Sequence, residues 1–382
     1  MSCGGAAGGA VARLGALANR GTVPLAVLFQ VTNRCNLDCV HCYQVRDEEP
    51  ELEFHEIARI LGELSRAGTL YLSLTGGEPF VRPDLRLIVE EARRLRFVLG
   101  LKTNGVRLGD AEAVWLADLG VVQVDVSVYG PTAAIHDRVT KERGSFAATV
   151  AAIEHLRAAG VNVQISVPLM RTNIAAFDEI LGLARRLGCR PAFDPQISVK
   201  QDCNRGLARL RSHDAEMARF FAHPEVIESC RAEVERKIEA VSNGSLMRAH
   251  PCSSCHSFCH IDHVGSVRAC NALPIVGGSL RERSFSEIWR DSEALDNVRR
   301  VRVGDLPICR ECELIAYCTR CQGDAYLEEG DLLAPSPDAC RRAAVLRAVL
   351  QAGGVPDAAT LANLAPAPLP GRGARVHLPV VA

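Results

Sequence analysis

The chain of 382 residues has room for two or three domains of roughly 100–200 residues each. Its 48% hydrophobic and 23% charged residues suit a globular enzyme with a sizeable core. A formal net charge of −1 gives no electrostatic footing for nucleic acid or an anionic membrane surface, and no run approaches the ~20 apolar residues of a membrane-spanning helix.

Residues 1–23 are small and Gly/Ala-rich, without the pattern of an export signal, and read as a flexible leader. From 24 to 197 short β-branched runs alternate with amphipathic stretches. Strands are expected at 24–32, 69–75, 97–103, 121–129, 161–169 and 189–197, and helices at 54–67, 84–95, 110–119, 145–159 and 174–187. Gly120 and Gly160 stand where a helix hands over to the next strand. The pattern predicts an α/β fold with a parallel sheet, either a partial (β/α)6 TIM-like barrel or a doubly wound sheet, with the chemistry at the carboxyl ends of the strands. A charged helical connector is expected over 198–250, a Cys-rich domain over 251–345 and a Pro/Ala-rich tail over 346–382.

Sixteen cysteines without an export signal point to a reducing compartment, the cytoplasm, where thiols serve metals or redox chemistry more often than disulfides. Three of them, Cys35, Cys39 and Cys42, follow the first strand as C-x3-C-x2-C. Three thiolates can hold three irons of a cubane and leave the fourth iron open to a non-protein chelate. The plainer reading is a zinc loop with a distant fourth ligand such as His41.

This run resembles the signature of the radical SAM enzymes, and "GGEP" (76–79) at the end of the second strand matches a second feature of that family. The resemblance implies a [4Fe–4S] cluster on Cys35, Cys39 and Cys42. That cluster would bind S-adenosylmethionine and cleave it reductively to a 5′-deoxyadenosyl radical. It places His41 near the adenine and Gly76, Gly77, Glu78 and Pro79 at the methionine amino group, with Glu78 supplying negative charge. Ser127 would sit at the methionine or ribose, and the segment ending in Leu169 against the adenine. Arg138 and Lys141 are out of register for a carboxylate ligand.

Nine cysteines lie between 252 and 340. Cys309-x2-Cys312-x5-Cys318-x2-Cys321 alone reads as a zinc knuckle. Together with Cys252-x12-Gly265-x4-Cys270 and Cys340, it resembles the SPASM extension of radical SAM enzymes, apart from two residues instead of three between Cys318 and Cys321. The resemblance implies two auxiliary [4Fe–4S] clusters, one on Cys252, Cys255, Cys270 and Cys321 and one on Cys309, Cys312, Cys318 and Cys340. Cys259 competes with Cys255. Cys3, Cys189, Cys203 and Cys230 remain as ordinary thiols, with Cys203 a candidate to face substrate. His256, His260 and His263 are expected to be solvated or hydrogen-bonded.

SPASM relatives modify peptides or proteins, which implies a maturase that crosslinks, epimerises or decarboxylates a ribosomal peptide, served by a flavodoxin- or ferredoxin-type electron donor. Sulfatase maturation fits less well, because Asn271 stands where those enzymes carry an Asp base. Haem-modifying relatives share the "NRCNL-x-C-x-HCY" run and offer a porphyrin as the alternative substrate. A zinc-stabilised binding protein is the non-enzymatic alternative. Only 23 residues precede the first strand, so leader recognition is expected to need a separate protein or another surface. No residue is assigned to quenching the substrate radical.

Overall fold

Aliphatic runs closed by glycine or polar turns build a nine-stranded sheet in the computed structural model, which describes residues 10–364. Strands β1 (Ala26–Thr32), β2 (Tyr71–Gly76), β3 (Val98–Thr103), β4 (Gln123–Ser127), β5 (Val163–Pro168) and β6 (Arg190–Asp194) pair in parallel, each with its sequence neighbour. Helix α1 (Ala10–Gly21) precedes them. Helices α2 (Phe54–Arg66), α3 (Leu85–Arg94), α4 (Asp110–Asp118), α5 (Ala133–Thr140), α6 (Ser145–Ala158) and α7 (Phe177–Arg186) link them. This is the expected partial (β/α)6 barrel, with every expected element found to within three residues. Gly120 and Gly160 take left-handed φ values of 65° and 82°, which end a helix at no Cβ cost. Helix α5 carries no clear periodicity, burying only His136, Val139 and Thr140, and was not legible in the sequence.

The connector holds α8 (Asp214–Ala222), α9 (Pro224–Ser242) and α10 (Ser245–Arg248). The Cys-rich region does not stand apart from the barrel. Its strand β7 (Phe258–Ile261) pairs in parallel with the outer edge of β1, and β8 (Ser266–Cys270) and β9 (Leu273–Ser279) continue the sheet antiparallel. Helices α11 (Phe285–Asp291), α12 (Glu293–Arg300), α13 (Gln322–Glu329), α14 (Pro337–Ala352) and α15 (Ala358–Ala362) complete the described chain.

Two boundaries drawn from composition move. Helix α1 replaces a flexible leader over 10–21, because its Ala- and Leu-rich stretch is a good helix former. It packs with Ala18 buried, while the Trp289 indole donates to the Thr22 carbonyl just beyond it at 2.7 Å. Helix α14 runs through 345 to Ala352, because Leu346 and Val349 are buried. Residues 1–9 and most of the Pro/Ala-rich tail, 365–382, lie outside the described residues.

Phe29, fully buried in β1, stands opposite Leu74 of β2 and Ile261 of β7, at the seam between barrel and Cys-rich region. Phe29→Ala is expected to cost about 3–5 kcal/mol. Denaturant unfolding followed by a barrel probe and a C-terminal probe should show one transition shifted for both. A shift confined to one probe contradicts the shared core.

Candidate active site at the carboxyl ends of the barrel strands

Each of the six parallel strands delivers a residue to one rim. Asn33, Gly76, Thr103, Ser127, Pro168 and Asp194, at or just past the ends of β1 to β6, line a single cavity of about 640 Å³. Cys35, Cys39 and Cys42 line it too, half-buried and free of disulfides.

The cysteine loop is held by its backbone. Glu51 accepts from the Thr32 hydroxyl (2.6 Å), the Asn33 N–H (2.8 Å) and the Arg34 guanidinium (3.1 Å). The Gly77 N–H donates to the Thr32 carbonyl and the Glu78 N–H to the Arg34 carbonyl, both at 2.9 Å. A Cβ on Gly76 would lie 2.6 Å from the Thr32 carbonyl oxygen, and one on Gly77 would overlap that of Arg34. Both positions therefore require glycine, and the close approach they allow is to the cysteine loop itself.

Glu78 is not where the sequence placed it. Its carboxylate is fully buried and does not line the cavity. One oxygen accepts from the Phe80 N–H (3.0 Å) and the Thr103 hydroxyl (2.8 Å), the other from the Asn104 N–H (2.7 Å). Burial raises its pKa, and the three donors pull the other way. Glu78 is thus a positioning residue. It fixes Asn104, whose side-chain amide donates to the Asn36 side-chain oxygen Oδ1 (3.0 Å) and lies 4.0 Å from the Cys35 sulfur. Pro79 is buried at the start of a 3₁₀ turn, and Leu169 is buried in the hydrophobic core, so neither lines the cavity. Pro168, one residue earlier, takes the rim position because side chains alternate along β5.

His41 and Ser127 do face the cavity. Burial pushes His41 down to about 4, so its ring is neutral near pH 7. That ring lies 4.7 Å from the ring of Tyr129, a cavity residue the sequence did not single out. The Tyr129 N–H donates to His136 Nδ1 (3.2 Å), and burial pushes His136 down to about 4. Arg138 is exposed and Lys141 pairs with Asp38, so neither faces the cavity. Lys102, bonded to Asp125, is a lysine that does.

The C-terminal thiols form two neighbourhoods. Cys252, Cys255, Cys270 and Cys321 gather on the barrel side, with Cys252, Cys270 and Cys321 lining the same cavity as the first three cysteines. Cys309, Cys312, Cys318 and Cys340 gather behind them. Cys255 lies near both Cys252 and Cys270, whereas Cys259 sits in β7 and neighbours only Cys270 of that pair. Cys255 also holds a left-handed φ of 62°. Burial raises Cys39 and Cys321 each to about 12 and Cys318 to about 11, so metal assembly must expel their protons. Among the described residues no three Cys, His, Asp or Glu side chains converge as a ready single-ion site. Cys203 is exposed, while Cys189 and Cys230 are buried.

Arg320, Gln322 and Tyr43, beside these thiols, were not legible in the sequence. The half-buried Arg320 guanidinium lies between the two neighbourhoods, near Cys252, Cys309, Cys318 and Cys321. The Gln322 amide donates to the Cys252 sulfur at 3.2 Å. Asn271 donates to the Tyr43 hydroxyl at 3.2 Å, and Tyr43 lies between Cys42 and Cys270. His256, His260 and His263 are buried; His263 is hydrogen-bonded to Asp47, and the His256 ring lies 3.6 Å from that of His250, tilted by 46°.

Residues 29–184 match the radical SAM superfamily, and residues 251–322 match the SPASM iron–sulfur cluster-binding domain. The chain belongs to the radical SAM superfamily and carries a SPASM domain. It is 30% identical over 292 residues to the mycofactocin maturase MftC of Mycobacterium ulcerans, covering 72% of this chain and 77% of that one. It is 28% identical to the AdoMet-dependent heme synthase of Oleidesulfovibrio alaskensis over 81% of this chain and 86% of that one. The fold is similar to that of Streptococcus suis SuiB bound to S-adenosylmethionine, with a TM-score of 0.61, 15% identity and coverage of 84% of this chain and 77% of that one. The protein is therefore a radical SAM enzyme. No helix among the described residues is long and apolar enough to cross a membrane.

Glu78→Gln leaves one oxygen and turns an amide NH₂ onto the Asn104 N–H. It is expected to cost about 1–3 kcal/mol, read as a lower urea midpoint. His136 binds fewer protons folded than unfolded, where its pKa is ~6.5. Its stabilisation is present above about pH 6.5 and is lost as pH falls through its folded value of about 4. Urea midpoints across that window should fall, and should fall less steeply in His136→Asn.

Proposed function

We propose that this radical SAM enzyme modifies a side chain of a peptide or protein substrate, in the manner of a ribosomal peptide maturase. One observation carries the reading: a single cavity is lined both by Cys35, Cys39 and Cys42 and by three of the C-terminal thiols, Cys252, Cys270 and Cys321. A substrate group held there lies between two candidate redox centres, one to start radical chemistry and one to take up an electron or bind a thiolate. The mycofactocin maturase and the PqqA peptide cyclase of Gluconobacter oxydans, 28% identical over 76% of this chain, support the peptide reading. The cavity must also admit S-adenosylmethionine. That favours a substrate inserting one side chain over one inserting a whole tetrapyrrole.

The donor sets fit three clusters. Cys35, Cys39 and Cys42 would hold the cluster that binds S-adenosylmethionine. Cys252, Cys255, Cys270 and Cys321 would hold one auxiliary [4Fe–4S] cluster, and Cys309, Cys312, Cys318 and Cys340 the other. When bound, the first cluster supplies the electron that cleaves S-adenosylmethionine. Gly76 and Gly77 present backbone to the methionine end, Ser127 a hydroxyl, and the neutral His41 ring a flat surface for the purine. The cytoplasm, which keeps thiols reduced, is the compartment this chemistry suits.

A second reading, haem modification, is supported by the heme synthase relatives, which cover 81% and 82% of this chain. Arg46, Lys102 and Arg320 on the cavity wall could serve propionates. Tight porphyrin binding by the purified protein, with no effect of candidate peptides on 5′-deoxyadenosine yield, would replace the peptide reading with this one.

Anaerobic reconstitution is expected to give about twelve irons per chain. The triple variant C35A/C39A/C42A should lose about four irons and all 5′-deoxyadenosine. Cys321→Ala should lose about four irons while retaining cleavage of S-adenosylmethionine. About four irons plus stoichiometric zinc in the unaltered protein would make the C-terminal thiols a structural zinc module.

A further inference from the structure

The outer face of the cysteine loop borders a second cavity, of about 480 Å³, that the chemistry above does not use. Cys39 and Cys42 line both cavities, so the loop is the wall between them. The far side of that wall is basic: Arg46, Lys141, Lys200 and Arg209 face one carboxylate, Asp38. Lys141 is paired with Asp38 at 2.8 Å, and the Arg46 guanidinium donates to the Leu37 carbonyl. Lys200 and Arg209 form no ion pair among the described residues. In a chain of net charge −1, this basin holds a formal excess of three positive charges.

The basin is tied to the cysteine loop. Gln201, next to Lys200, donates its N–H to the Tyr43 carbonyl (3.1 Å) and its side-chain amide to the Asn271 carbonyl (2.8 Å). The Lys200 N–H donates to the Asn204 carbonyl at 3.1 Å, closing a tight turn. The cations are thus carried on ordered backbone beside two of the three thiols.

Reductive cleavage needs one electron per event, and electron transfer weakens steeply with separation. The inner cavity is the place for S-adenosylmethionine and substrate. A donor must therefore approach from the other side of the loop, where Cys39 and Cys42 line the second cavity. Exposed cations on long side chains do not converge on a small anion, but they match the broad negative face of an acidic protein and steer its approach. We propose that this basin is the docking site of an acidic, low-potential, one-electron carrier protein. The inference rests on the assignment of a cluster to Cys35, Cys39 and Cys42. In each event a flavin hydroquinone on the carrier is oxidised to its semiquinone. The electron converts the sulfonium to the thioether of methionine as the C5′–S bond breaks. The 5′ carbon then takes a hydrogen atom from a donor, ending as 5′-deoxyadenosine.

The test uses the reconstituted full chain, a reduced acidic flavodoxin as probe, and dithionite as a small reductant that needs no docking site. In the variant K200E/R209E, flavodoxin affinity and the flavodoxin-driven rate at subsaturating carrier should both fall by about tenfold or more at low salt. The dithionite-driven rate and the iron content should not change. K200Q/R209Q should fall in between, and the salt dependence of flavodoxin binding should flatten as the charges are removed. Unchanged flavodoxin binding and rate in K200E/R209E overturn the proposal. So does an equal fall with dithionite, which would place these residues in service of the inner cavity or of an acidic peptide. If dithionite yields no 5′-deoxyadenosine even in the unaltered protein, the cluster assignment fails instead, and the binding measurement still decides whether the basin docks the carrier.

Discussion

The structure depends on one steric constraint: the end of β2 must lie directly on the backbone of the cysteine loop. Two N–H groups, of Gly77 and Glu78, bond two carbonyls, of Thr32 and Arg34, and no Cβ fits at Gly76 or Gly77. A loop with three thiols has no hydrophobic core of its own. It is placed by this backbone contact, by Glu51 beneath it and by the hydrogen bond from the Val40 N–H to the Val139 carbonyl at the end of α5. Everything the site does follows from that placement, because it points Cys35, Cys39 and Cys42 to the rim where all six strands end.

Glu78 shows how a short motif can be read correctly as important and wrongly as to its role. A buried carboxylate is costly unless its oxygens are bonded, and here three donors satisfy it. The charge that sequence reasoning aimed at a ligand instead locks β2 to the β3 end, and through Asn104 to Cys35. The groups that do reach the cavity, such as Asn104, Tyr129 and Lys102, carry weak signals in one dimension. Their significance comes from the ends of separate strands meeting in space.

The Cys-rich region likewise works through continuity with the barrel. Because β7 pairs with β1, the first auxiliary neighbourhood is carried on the same sheet as the first cysteine loop, and Cys270 at the end of β8 reaches the common cavity. Arg320 places a cation between thiol groups that become anionic when they bind metal, which lowers the electrostatic cost of bringing two such groups together. Tyr43 and Asn271 fill the space between Cys42 and Cys270 with a hydrogen-bonded pair. The position that would hold a carboxylate base in a sulfatase-maturing relative is thus an amide already engaged.

The sequence by itself determined the six βα units, their order and their handover glycines, because periodicity and turn chemistry are local properties. It also determined the family, because C-x3-C-x2-C, "GGEP" and the C-terminal cysteine spacings are local patterns of rare residues. Only the tertiary structure decided which side chains share the cavity, that Glu78 and Leu169 turn away from it, and that the C-terminal thiols divide into two groups beside the first three. It also decided that α1 and the end of α14 are ordered, since their burial depends on partners far away in the chain. Residues such as Lys200 and Cys39, distant in sequence, became neighbours because the chain returns past β6 to cover the outer face of the cysteine loop.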